Sequence, residues 1–273
     1  MAGGYWQFDG NGPELYERYL VPSITIKWAE DLVDRAQPRT DDIVLDIACG
    51  TGVVARVAAE RARQSQVTGL DLNAEMLAVA RNVTETGTSI RWVRGSAQDL
   101  PFPQGSFDLV LCQLGLQFFP DQGRALGEMR RVLKDTGRAA ISVYSPIERT
   151  PGAHAFVRAL DEVLGTNASR VKRSEHSFES PTQLEILLKR SGFQTVDVQI
   201  VEQSIVFPSV LDYVRFQLIA TPMTVLLKER TESKRDAIIA SIASSTASFS
   251  TLASLANDTF SFPQEAYVAT ASR

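Results

Sequence analysis

The chain has 273 residues, 44% of them hydrophobic and 22% charged, with a net charge of −4 and a pI of about 5.4. Such a composition supplies ample apolar material for a core, and the acidic balance argues against a general nucleic-acid binder, which needs a basic face to displace counterions. No charged-then-apolar leader opens the chain and no apolar run nears ~18 residues, so neither a secretory signal nor a membrane span is expected. The two cysteines, Cys49 and Cys112, sit in apolar strand-like sequence. They read as buried free thiols of a reducing, cytoplasmic compartment and not as a metal site.

Residues 1–12 mix four glycines with Tyr5, Trp6 and Phe8. They are expected to pack onto the body near an opening. Pro13 to Leu20 reads as a short helix with Tyr16, Tyr19 and Leu20 on one face. Pro22 interrupts it, and Ser23 to Ala36 forms a second helix along the stripe Ile24, Trp28, Leu32 and Ala36. After the turn from Pro38 to Asp42, the run Ile43-Val44-Leu45-Asp46-Ile47 reads as a strand. It breaks at Gly50-Thr51-Gly52 and continues as helix from Val53. Strand, glycine turn and helix bind a nucleotide-like ligand at the carboxyl end of a parallel strand, because glycine lets the backbone turn sharply and the ligand come close. Asp46 brings a carboxylate near the strand end, which suits a ligand carrying an ammonium group. A buried aspartate capping a turn is the plainer alternative, and the segment also fits a dinucleotide fingerprint.

Gln66 to Leu72 reads as a second strand. Its Asp71, 21 positions after Gly50, is placed to accept hydrogen bonds from both ribose hydroxyls of an adenosine. Asn73 is the expected N-cap of a helix from Ala74 to Val83, and Leu72 and Met76 offer an apolar wall to an adenine. Ser89 to Arg94 is a third strand, and Phe107 to Leu111 a fourth. Gln113 and Gln117 are the polar side chains of the loop after it. Gln122 to Leu133 forms an amphipathic helix, Gly137 serves as its left-handed stop, and Arg138 to Tyr144 is the fifth strand. A helix from Gly152 to Leu164 and a polar loop follow. Arg170-Val171-Lys172-Arg173, the one basic cluster, reads as part of that solvated loop. Ser180, Pro181 and Gln183 open a helix with a capping box, which runs to Arg190 and stops at Gly192. Phe193 to Phe207 supplies a sixth strand. Helices are expected over Val210 to Ile219 and Thr224 to Ile242, then a Ser/Ala/Thr-rich stretch that reads as linker or as helical packing. Phe262 to Ala271 is a closing strand. No internal repeat occurs, and the alternation of β and α elements argues for an open, mostly parallel, doubly wound α/β sheet.

Taken in order and spacing, these motifs resemble the class I S-adenosylmethionine (SAM)-dependent methyltransferases, and among them the small-molecule group like the ubiquinone/menaquinone methyltransferases. The residues that carry the resemblance are Asp46 with Gly50 and Gly52, Asp71, Leu100-Pro101-Phe102, Ser106-Phe107-Asp108 and the Gly137 turn. They cover residues 40–145 and the final strands in outline. The resemblance implies a Rossmann-like, seven-stranded sheet with its last strand antiparallel, in one domain spanning residues 1–273, with helical lid segments at about 1–36, 147–178 and 208–260. It implies SAM as cofactor and S-adenosylhomocysteine as product. Asp46, Ala48, Gly50, Thr51, Gly52 and Gln113 then lie about the methionine end, with Tyr16 as a cofactor or substrate contact. Asp71 lies on the ribose and Leu72 and Met76 by the adenine. The Ala97 N–H faces a ring nitrogen, and Ser96, where relatives carry an acid, joins Gln98 near the adenine amino group.

In that family the transferred methyl already sits on a good leaving group. Alignment of the reacting atoms is then the main task, able to supply up to ~7–11 kcal/mol, and a general base is needed only for a protonated, weakly acidic nucleophile. Gln117, His154 and His176 are the candidates, glutamine only as an orienting group. Lids rich in Phe, Leu, Ile and Val suit a small organic acceptor, apolar or aromatic and natural-product-like, in a pocket closed to water. No metal, nucleic acid or membrane span is expected, and a homodimer is compatible with the sequence. Two alternatives stand beside this reading. One is an NAD-linked oxidoreductase on a related fold. The other is a SAM-binding methyltransferase fold acting as a cyclase or non-catalytic binder.

Overall fold

Five short apolar runs, each rich in Val, Leu or Ile, line up as parallel strands because only a sheet covered on both faces buries them. The computed structural model describes residues 12–63, 65–250 and 259–273; the glycine- and aromatic-rich segment before Gly12 lies outside the described residues. β1 (Ile43–Ile47), β2 (Gln66–Asp71), β3 (Ile90–Arg94), β4 (Phe107–Gln113) and β5 (Leu133–Tyr144) are parallel to one another. β7 (Phe260–Ser272) inserts antiparallel between β5 and the edge strand β6 (Val196–Phe207), giving the order β3-β2-β1-β4-β5-β7-β6. This is the doubly wound, Rossmann-like sheet with an antiparallel last strand. Strand order reverses between β1 and β4, so the crevice for a ligand opens at their carboxyl ends.

Alternation along β1 sends Val44 to one face and Leu45 and Ile47 to the other. On the first face α2 (Ile26–Ala36), α3 (Val53–Arg61), α6 (Pro151–Leu164), α9 (Val210–Ile219) and α10 (Glu232–Phe249) share one core. On the second, α5 (Gln122–Val132) and α8 (Pro181–Arg190) cover the sheet. α4 (Ala74–Val83) starts where expected, Asn73 accepting the N–H groups of Glu75 and Met76 at 2.8 and 3.3 Å.

Four expectations are corrected. Pro22 does not interrupt the first helix: α1 (Gly12–Leu15) runs through a π-helical stretch, Tyr16–Thr25, into α2 with helical backbone at both joins. The widened turn absorbs the missing donor and the ring of the proline. Gly137 is not a left-handed stop; α5 ends at Val132 and the chain turns extended at Leu133. Glycine is needed at 137 for closeness, since a Cβ would stand 2.8 Å from the Lys134 carbonyl oxygen. The helix expected over 224–242 is split. A 3₁₀ turn, Pro222–Leu227, gives way to left-handed Glu229 (φ 64°), and α10 then runs through the Ser/Ala/Thr-rich stretch as far as Phe249, packed with small residues on α6. The rest of that stretch, 251–258, lies outside the described residues. Finally, residues 170–173 are no solvated loop. They begin the short helix α7 (Arg170–Ser174), whose Lys172 is buried.

The capping at α8 is nearly as expected. Ser180 Oγ accepts the Gln183 N–H at 3.2 Å, but Gln183 Oε1 closes the box on the N–H of Glu179, one residue early. Gly192, at φ 94°, ends that helix.

Candidate active site

The turn after β1 holds three residues in left-handed backbone, Ala48 (φ 55°), Gly50 (φ 55°) and Gly52 (φ 86°). Glycine suits such a turn because it lacks the Cβ that makes this region costly. At Gly52 closeness also matters. A Cβ there would lie 2.2 Å from the Trp92 ring, and one at Gly69 on β2 would lie 2.3 Å from the same ring. Trp92 therefore seals the underside of the turn.

Asp71, at the tip of β2, ties the turn to the next loop. Its Oδ2 accepts the Gly50 N–H and its Oδ1 the Asn73 N–H, each at 2.8 Å. Burial raises its carboxyl above the usual range, against the pull of those N–H groups. Asp46 behaves differently. The β1 pleat turns it toward α3, where its Oδ2 accepts the Ala55 N–H at 3.0 Å. It is fully buried, its Oδ1 has no partner among the described residues, and burial pushes its carboxyl well up.

A cavity of about 320 Å³ opens above the carboxyl ends of β1, β2 and β4. One end is walled by Asp71, Leu72, Met76 and the loop Gly95-Ser96-Ala97-Gln98. Ser96 Oγ accepts the Gln98 N–H at 3.2 Å, and Arg124 donates to the Gln98 carbonyl at 2.7 Å, which stiffens that loop. Ala48, Gly50, Gln113 and Gly115 form the middle; Gln113 Nε2 donates to the Thr25 carbonyl at 3.1 Å, while its Oε1 is buried and unpartnered among the described residues. The same cavity is also lined by Tyr16, Leu20 and Ile24 of the first helix, by Phe118 and Phe119, and by Tyr144, Lys172, Glu175 and Gln217. Burial pushes the Tyr16 phenol well up, and the charges of Glu17, Glu175 and Asp71 add to it. Arg56 joins this helix to the glycine turn, donating to the Thr51 carbonyl at 2.6 Å and pairing with Glu17 at 2.7 Å.

Of the residues singled out from sequence, the structure gathers Tyr16, Ala48, Gly50, Asp71, Leu72, Met76, Ser96, Ala97, Gln98 and Gln113 around this cavity. It leaves Asp46, Thr51 and Gly52 behind the turn, off the wall. None of Gln117, His154 and His176 lines it either. Gln117 is turned inward, 8% exposed, in the turn Leu116–Phe118. His154 lies along α6. His176 is buried, its Nδ1 2.8 Å from the Ser145 carbonyl oxygen, and stacks on Tyr144 at 4.9 Å. Burial first, and the Lys172 charge second, hold it down at about 3. Sequence reasoning missed Tyr144, Lys172, Glu175 and Gln217. Only the i, i+3 spacing of Lys172 in α7 and Glu175 just after it could have hinted at a paired, buried use of that basic cluster.

A ligand crevice at the strand-order reversal, a glycine turn bound to an acidic strand tip and a half-open cavity beyond it, on a parallel sheet whose last strand is antiparallel between β5 and β6, are the arrangement of a class I SAM-dependent methyltransferase. Residues 45–141 match the family described as "Methyltransferase domain". The chain is 32% identical to the demethylmenaquinone methyltransferase of Thermus thermophilus over 193 residues, which are 66% of this chain and 87% of that one. It belongs to that family, the class I SAM-dependent methyltransferases of the quinone methyltransferase type. The fold is shared with the YcgJ protein of Bacillus subtilis (TM-score 0.59, 23% identity, 90% of this chain and 98% of that chain). It is shared too with a Haemonchus contortus phosphoethanolamine N-methyltransferase solved with SAM (TM-score 0.57, 22% identity, 90% of this chain and 52% of that chain). The protein is thus a methyltransferase that uses SAM and acts on a small molecule, in place of the NAD-linked alternative. Among the described residues, no helix is long and apolar enough to cross a membrane, and no group of His, Cys, Asp and Glu is placed to hold a metal.

Proposed function

We propose that the cavity seats SAM at its Asp71 end and an apolar or aromatic acceptor at its Tyr16–Tyr144 end, under lid segments drawn from residues 12–36, 147–178 and 208–250. The observation that carries this reading is continuity: one half-open space joins an acidic strand tip and an apolar slot to a wall of aromatic and aliphatic side chains. The residues fit the cofactor. A carboxylate offers about four lone-pair sites, and Asp71 spends two on backbone N–H groups. The remaining acceptor capacity is available to ribose hydroxyls. Leu72 and Met76 flank the same end as an apolar wall for the adenine, with the Ala97 N–H, Ser96 and Gln98 at its edge. The orphaned Gln113 Oε1 provides an acceptor for an ammonium group in the middle of the cavity.

SAM supplies an activated methyl on a sulfonium, so the protein's contribution is alignment and exclusion of water. Tyr16, Leu20, Ile24 and Phe118 close the acceptor end and Asp71 fixes the cofactor end. Asp46, Thr51 and Gly52 act through the turn, holding its shape from behind. A quinol-type ring, such as the names of the relatives imply for them, is one acceptor that this end would take. A cytoplasmic setting fits the two buried free thiols.

Calorimetric titration with S-adenosylhomocysteine, with NADH as control, tests the reading. Micromolar binding of the first alone, lost in Asp71→Ala, supports it; binding of NADH, or unchanged affinity in the variant, sinks it. Transfer of labelled methyl from SAM to a panel of apolar aromatic acceptors then tests the acceptor end.

A further inference from the structure

Among the described residues, three side chains with formal charge line the cavity: Asp71, Lys172 and Glu175. Asp71 belongs to the cofactor end. Lys172 and Glu175 face the acceptor end as a buried pair, Nζ to Oε2 at 2.7 Å, with side chains 7% and 5% exposed. A buried ion pair gains little stability over well-packed apolar side chains, because desolvation offsets the attraction. Its cost is hard to explain by folding alone in a wall whose other side chains, Tyr16, Leu20, Ile24, Phe118 and Gln217 among them, carry no formal charge. The pair is also unsaturated. An ammonium has three donors, and Lys172 directs one at Glu175. Gln217, 2% exposed, lines the same space, and its Oε1 has no hydrogen-bond partner among the described residues. A closed apolar pocket with a few convergent polar groups selects a ligand that satisfies them.

We propose that Lys172 and Glu175 anchor the acceptor by one ionisable hydroxyl, of a phenol or an enol, with Glu175 taking its proton and Lys172 donating to the same oxygen. The O–H bond of the acceptor breaks, an O–H bond forms on Glu175, and the negative charge left on the acceptor oxygen lies beside the ammonium. That oxygen is then the nucleophile, or it enriches the ring carbons beside it. Burial raises the Glu175 carboxyl above the usual range despite the pull of Lys172, which makes it the better proton acceptor. Gln217 completes the anchor with its free carbonyl oxygen, orienting a second polar group on the acceptor. His176 is no rival for the proton, since it is held neutral off the cavity wall. The proposal rests on the acceptor end being where the preceding section puts it.

The test measures binding of 1-naphthol and of 1-fluoronaphthalene, close in bulk, to the protein loaded with S-adenosylhomocysteine. The variants are Glu175→Gln and the double change Lys172→Met with Glu175→Met, which swaps the pair for apolar groups of similar volume and so preserves the fold. The wild type is expected to favour naphthol by about tenfold or more, as hydrogen bonds to charged groups imply. The double variant loses that preference while binding S-adenosylhomocysteine and fluoronaphthalene as before, a pattern that a merely structural pair would not produce. Glu175→Gln keeps part of the preference but no longer shifts the bound naphthol's absorption toward the naphtholate. Equal affinities in the wild type, a preference that survives the double change, or no naphthol binding at all would overturn the proposal. Failure of S-adenosylhomocysteine to bind would instead count against the cofactor end, and the two probes would still report on the pair in the unloaded protein.

Discussion

The two ends of the cavity are built by different means. At the cofactor end, the segments within residues 46–98 and Gln113 all hang from the tips of adjacent parallel strands, and Asp71 ties the glycine turn to the next loop by accepting one backbone N–H from Gly50 and one from Asn73. At the acceptor end, Tyr16, Tyr144, Lys172 and Gln217 come from a long first helix, the tip of β5, a five-residue helix and α9. Nothing local relates them; they meet because α6, α9 and α10 share a core with α2. The first end is rigid by hydrogen bonding and the second is shaped by packing. The lesson is that a turn at a strand tip specifies a cofactor with few residues, whereas an acceptor is specified by whatever helices are packed over it.

Four changes would break or sharpen this contrast. The largest effect is expected at Asp71. Replacing it with alanine should weaken S-adenosylhomocysteine by about a thousandfold, or ~4 kcal/mol, as two charge-assisted ribose bonds disappear; calorimetry reads this, and Asp71→Asn, which keeps one acceptor oxygen, should fall between. If alanine costs less than about tenfold, the cofactor end does not depend on this carboxylate. Gly52→Ala comes next, because alanine is strained at φ 86° and its methyl would collide with Trp92. We expect a loss of ~3 kcal/mol in stability by urea unfolding. Thermal and urea midpoints that do not move would mean the turn is looser than its geometry.

At the acceptor end the third prediction concerns pH. His176 is held at about 3 in the folded protein against 6.5 for the free side chain. The unfolded chain therefore binds the extra proton between those values, and stability falls as pH drops through about 6.5 toward 3, by up to ~1.4 kcal/mol per pH unit. The raised carboxyls of Asp46, Asp71 and Glu175 have the opposite sign, so the difference between wild type and His176→Gln isolates the histidine. A variant as acid-sensitive as the wild type would refute this. The smallest effect belongs to the join between the ends. Glu17→Gln weakens the half-buried pair with Arg56 and should cost ~1 kcal/mol. It should appear as severalfold faster release of S-adenosylhomocysteine in stopped flow, with little change in unfolding. An unchanged rate would separate the first helix from cofactor retention.

Much of the cofactor end was legible before any coordinates. Gly50, Asp71 and Asn73 owe their roles to chain-local facts: a left-handed turn, an acidic strand tip and an N-cap two residues on. Asp46 was legible both as a ligand-facing carboxylate and as a buried turn cap, and only the direction of the β1 pleat, which sends it toward α3, decides between them. Trp92 was invisible as the shared partner of Gly52 and Gly69, since β3 meets them only in the sheet. The histidines were drawn into the site by residue type alone. The structure turns His176 toward the Ser145 carbonyl and leaves His154 along α6.

The sequence by itself determined the sheet, the glycine turn and the acidic tip of β2, because strand periodicity, glycine backbone freedom and helix capping act over a few residues. Only the tertiary structure decided that helix persists through Pro22, that the stretch 224–242 breaks at Glu229, and that the basic cluster at 170–173 contributes a buried lysine paired with Glu175. Those outcomes depend on which surfaces are covered. A lysine at a helix start is solvated or buried according to what packs above it, and that is a property of the assembled fold.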